Sequence, residues 1–135
     1  MIAYAFALLA QASPVMAEPK VDCENPVTQS AMNICSYREY LAADAAMSDA
    51  WKAAKTRARE GDASLARNGI PVREFANLLD AQRKWLAFRD AHCLSIAGPR
   101  DEFSGTIWPL IFNGCMNELT ETRTSQLHRL GTPEG

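Results

Sequence analysis

Four cysteines, Cys23, Cys35, Cys93 and Cys115, constrain what this 135-residue chain can fold into more than any other feature. They stand 12, 58 and 22 positions apart. Structural zinc sites draw their ligands in close pairs such as CxxC, and this spacing offers none. An even count in a small chain bound for export reads instead as two disulfides, with three connectivities open. Export itself is read from residues 1–17. No charged side chain precedes Glu18, and the apolar run from Ile2 to Ala10 is too short for a bilayer, which needs about 20 residues. Val15-Met16-Ala17 supplies the small residues that a signal peptidase recognises, although the usual basic n-region is missing. The expectation is a signal peptide over 1–17, a single domain over 18–135, and a periplasmic or secreted protein. No cysteine falls within the leader, which argues against a lipoprotein.

Hydrophobic residues make up 47% of the chain and charged residues 22%, an ordinary globular balance. The formal net charge of -2 carries no basic footprint for nucleic acid and permits a basic protein partner. Strand signals are nearly absent, and three helical segments stand out. The first opens near Asn25-Pro26-Val27-Thr28, with Thr28 or Asn25 as its cap, and runs to about Arg59, before Gly61. Ile34, Tyr37, Leu41, Met47, Trp51 and Ala54 recur along it at helical spacing. The second runs from about Val72 to Ile96 and stops at Gly98-Pro99. The third starts between Thr106 and Pro109 and runs to about Leu130. Short connections between three helices predict an all-α, antiparallel three-helix bundle stapled by the two disulfides. Folding back at the 61–71 connection brings Cys93 to the level of Cys35. This favours Cys35–Cys93 with Cys23–Cys115, ahead of Cys23–Cys93 with Cys35–Cys115.

Written as inward seams, the helices read Ile34, Tyr37, Leu41, Asp44, Ser48, Trp51, then Leu78, Gln82, Trp85, Arg89, Cys93, Ile96, then Phe112, Cys115, Leu119, Arg123, Leu127, Leu130. Each seam carries polar groups, and the same fold-back sets Asp44 level with Arg89. A carboxylate buried or half-buried there needs a guanidinium that can bind it in a bidentate way, and Trp85 offers a ring face one turn before Arg89. Asp44, Gln82, Trp85, Arg89 and Arg123 are expected to form a polar cluster that fixes the register of the bundle; the other reading is a ligand or partner site at its side.

Catalytic constellations are missing. There is no Gly-rich phosphate loop, no HExxH and no GxSxG, and no cofactor or metal is called for. His92 lies beside Cys93, but an oxidised cysteine is no nucleophile. The run Lys52, Lys55, Arg57, Arg59, Glu60 reads as a solvated face. The loop from Asp101 to Trp108 interrupts the plain bundle. Asp101, Glu102 and an exposed Trp108 would make a contact for a partner there; the other reading folds Trp108 back onto the core.

Cys35, Tyr40, Ala43-Asp44 and the run Ala81-Gln82-Arg83-Lys84-Trp85-Leu86-Ala87-Phe88-Arg89-Asp90-Ala91-His92-Cys93 lead to a family. With Ser104-Gly105-Thr106-Ile107, Cys115, Leu119-Thr120, Arg123 and Leu127, the pattern resembles the lysozyme-inhibitor LprI-like N-terminal domain family. The resemblance covers Cys23 to about Leu130. Ser48 and Trp51 depart from the Asn and Tyr that the family often carries after the Asp of the first helix. The resemblance implies a small exported helical domain of the bacterial envelope that is not an enzyme and inhibits lysozyme by binding it. A basic lysozyme would meet the acidic chain with complementary charge. The alternative is an envelope interaction module with an unrelated partner.

Overall fold

The computed structural model describes residues 20–101 and 105–131. Within them lie three helices, α1 (Gln29–Arg67), α2 (Glu74–Ala97) and α3 (Trp108–Gly131), and no strand. Residues 1–17, where the signal peptide is expected, lie outside the described part.

Thr28 caps α1: its backbone is extended and its Oγ1 accepts from the Ala31 N–H at 3.1 Å. The helix does not stop before Gly61 but continues to Arg67, so the expected end near Arg59 is corrected. A glycine inside a helix costs about 1 kcal/mol, which one more packed turn can offset. The added stretch has a second task. Asp62 accepts from the backbone N–H groups of Glu74 (2.8 Å) and Phe75 (3.2 Å). It thereby caps α2, whose own N-cap residue Arg73 makes no side-chain hydrogen bond. α1 closes at Gly69, which takes a positive φ of 69°. There the Ile70 N–H reaches Leu65 O and the Gly69 N–H reaches Ala66 O, both at 3.0 Å, a Schellman arrangement.

α2 runs antiparallel to α1 and α3 runs back beside α1, the up-down-up order that short connections predict. The α1–α3 interface is the largest. Alanines make it so: Ala43, Ala50, Ala54 and Ala58 are buried along α1 and let α3 come close. At its far end Gly131 lies against Ala53 and Ala54, where an added Cβ would sit in van der Waals contact, 3.4 Å from Ala54 N. The core is Met47, Ala50, Ala54 and Leu127, with Trp51, Leu78, Trp85 and Leu86 packed on it.

The buried stripe of α1 is therefore turned by about one residue from the expected seam. Tyr37 and Leu41 remain 50% and 45% exposed, whereas Ala43, Met47 and Ala50 face inward. The expected seam follows the largest apolar side chains, whereas close approach of two helices favours a stripe rich in alanine. On α3 the stripe moves one residue the other way, burying Asn113, Met116 and Thr120, while Leu127 stays buried on the expected seam and Leu130 is half exposed.

Both expected disulfide pairings are corrected. The bridges are Cys23–Cys35 and Cys93–Cys115, with Cα–Cα distances of 5.5 and 5.6 Å. The segment leading into α1 turns back along the helix and brings Cys23 to Cys35. The α2–α3 connection folds antiparallel, so the end of α2 meets the second turn of α3. Each bridge is thus local in sequence, and neither disulfide joins α1 to α2.

Candidate functional site

Arg89 is the centre of the polar cluster. It leaves the middle of α2 toward the meeting point of all three helices, and its side chain is only 7% exposed. Nη1 donates to Asp44 Oδ1 of α1 at 3.4 Å and to Thr120 Oγ1 of α3 at 3.3 Å. Nε donates to Asp90 Oδ1 at 3.0 Å. The guanidinium also lies 5.3 Å from the Trp85 ring centroid and 5.6 Å from that of Tyr40. The Asp44 side chain stays 45% exposed and meets Nη1 alone, so the expected pair forms half-buried and without the bidentate geometry. Asp90 is the closer carboxylate. Desolvation raises the Tyr40 phenol above its usual range, with Arg89 opposing the shift and Asp44 and Asp90 adding to it.

Arg123 makes a second node. Its Nε donates to Gln82 Oε1 at 2.9 Å and its Nη1 to Gln126 Oε1 at 3.0 Å, while Gln82 Nε2 reaches Met47 Sδ at 3.7 Å. Burial lowers the Arg123 pKa, and the guanidinium donates to two neutral side-chain amides. Trp85 is shared between the nodes, since Arg123 lies 5.9 Å from the same ring. The structure thus brings Asp44, Gln82, Trp85, Arg89 and Arg123 together. It adds Tyr40, Asp90 and Thr120, which the seams leave out. Tyr40 lies one turn before Asp44 and is within reach of periodicity reasoning; Asp90 adjoins Arg89, a separation that periodicity treats as facing elsewhere.

Trp108 is not the exposed contact that one reading of the loop expects. It is 7% exposed, its indole Nε1 donates to Gly98 O at 2.8 Å, and it stacks on Phe112 at 4.7 Å. An indole needs a partner for its single donor when buried, and the carbonyl at the end of α2 provides it. Asp101 is exposed, and Glu102 lies outside the described residues. Above Trp108, a groove of about 570 Å³ is bordered by Ile34, Tyr37, Leu41 and Phe112. A wider one of about 980 Å³ runs along the overhanging half of α1, past Ala58, Leu78 and Leu130.

Among the described residues no group of three His, Cys, Asp or Glu side chains stands together to hold a metal. The sulfur of Cys93 is in a disulfide, and His92 stacks on Phe88 at 5.2 Å. No helix among these residues is long and apolar enough to cross a membrane.

The family model described as lysozyme inhibitor LprI matches residues 23–127. An uncharacterized protein of Rhizobium meliloti (strain 1021) is 33% identical over 128 residues, covering 91% of this chain and 88% of that protein. No solved structure matches.

Proposed function

The chain belongs to the lysozyme inhibitor LprI family, and from that membership we propose that it is an exported protein that binds and inhibits a lysozyme. The observation that carries this reading is the span of the match: residues 23–127 take in both disulfides, Arg89 and Arg123. Two disulfides agree with an oxidising compartment outside the cytoplasm. The leader over residues 1–17 is proposed to direct the chain there. A net charge of -2 suits a basic target, because complementary charge speeds association.

The proposed contact is the loop after α2, carried by Asp101 and Glu102. Trp108 serves it from below by tying the start of α3 to the end of α2. The test is a turbidity assay of peptidoglycan lysis by a basic lysozyme, with oxidised protein from Glu18 onward. Saturable slowing is the expected result. An unaltered rate with several lysozymes at high excess would sink the proposal in favour of an envelope module with another partner. Lysis by the protein alone would make it an enzyme.

A further inference from the structure

The two disulfides differ in surroundings. Cys93 has no exposed surface, its partner Cys115 is part-buried, and the bridge between them joins two packed helices. Cys23, by contrast, is exposed and sits in a segment without helix or strand, while its partner Cys35 is 4% exposed. The Arg38 Nη1 lies 3.9 Å from Cys23 Sγ. Exposed bridges exchange with external thiols far faster than buried ones, and a cation beside a sulfur stabilises its thiolate.

We infer that Cys23–Cys35 is a reversible thiol-exchange site, addressed at Cys23 by an external dithiol, whereas Cys93–Cys115 is permanent. A thiolate of the dithiol attacks Cys23 Sγ, forming a mixed disulfide and expelling Cys35 as a thiolate that takes up a proton. The second thiol of the reagent then attacks its own sulfur in the mixed disulfide and expels the Cys23 thiolate beside Arg38. The reagent leaves as a disulfide, two electrons poorer, and the protein keeps two thiols. Only the lead-in segment is released, because Thr28 still caps α1 and α3 still packs along it. The inference stands apart from the inhibitor reading and survives its failure.

The experiment uses the full oxidised protein under native conditions, with graded dithiothreitol, iodoacetamide trapping and tryptic mass mapping. No Lys or Arg lies between Lys20 and Arg38, so one peptide, 21–38, carries both sulfurs of the exposed bridge. That peptide should be alkylated at about tenfold lower dithiothreitol than opens Cys93–Cys115, with the helical circular dichroism unchanged. Opening of Cys93–Cys115 first, or of both bridges together as helicity is lost, overturns the inference. Arg38→Gln should slow reduction several-fold at neutral pH; an unchanged rate overturns the part given to Arg38.

Discussion

Arg89 Nη1 donates to Thr120 Oγ1 across 3.3 Å between α2 and α3, and both residues are buried, Thr120 completely. Removing the guanidinium leaves that hydroxyl without this partner in a dry place. Arg89→Ala should therefore destabilise by about 3 kcal/mol, from the stranded hydroxyl and the lost packing of the stem. Arg89→Met keeps the stem and should cost clearly less. Asp44→Ala should cost no more than about 1 kcal/mol, because its carboxylate is half exposed and Asp90 still holds the guanidinium. Denaturant melts of the three variants test this. A loss above about 3 kcal/mol for Asp44→Ala would restore the buried pair that the seams alone suggest.

Helix number, order and most ends are legible in the sequence because they rest on local signals: Thr28, Gly98-Pro99 and the apolar period. The adjacency of Asp44 and Arg89 is legible as well, from fold-back arithmetic alone. What escapes is set by packing and by contacts between segments, which helical periodicity does not encode. The α1 seam is chosen by how closely α3 can approach, which favours Ala43, Ala50 and Ala54 over Tyr37 and Leu41. The continuation of α1 through Gly61 depends on Asp62 capping a helix that starts 12 residues later. The disulfides follow the return of the lead-in segment onto α1, which no periodicity encodes. Trp108 turns on one hydrogen bond to Gly98.

Gly61 lies inside α1 with an ordinary helical backbone, and a Cβ there would first meet the carboxylate end of the Glu74 side chain. That exposed, flexible group can swing aside. Gly61→Ala should stabilise by about 0.5–1 kcal/mol through helix propensity and a less free unfolded chain. A raised thermal midpoint is the expected reading. A lowered one would mean that the Glu74 carboxylate is held in place and matters to the α1–α2 corner.

The phenol of Tyr40 bears on alkaline stability. Its pKa in the folded protein is raised above 10.0, so the fold favours the neutral form. The matching stabilisation is fully present below the unfolded value and is lost as pH rises through the raised folded value. Tyr40→Phe should leave a flatter stability profile above pH 10.0 than the wild type shows. The phenolate absorbance missing from its difference spectrum should appear only above that pH. Identical alkaline profiles for the two proteins would remove Tyr40 from the account.

The proposed inhibition should weaken as salt rises, since exposed charges are screened over about 8 Å at physiological ionic strength. Reversing Asp101 and Glu102 to Lys should slow association with a basic lysozyme more than it speeds dissociation. The melting temperature should fall far less than in Trp108→Ala, because Asp101 is exposed. Trp108→Ala should behave in the opposite way. It removes a buried indole, its bond to Gly98 O and its stack on Phe112, so it should cost about 3–5 kcal/mol. Any inhibition lost should then follow the unfolded fraction and return with a lower temperature. Surface plasmon resonance at several salt concentrations, paired with thermal melts, separates the two patterns. Charge reversal that leaves association untouched, in a protein that inhibits, would move the contact away from this loop.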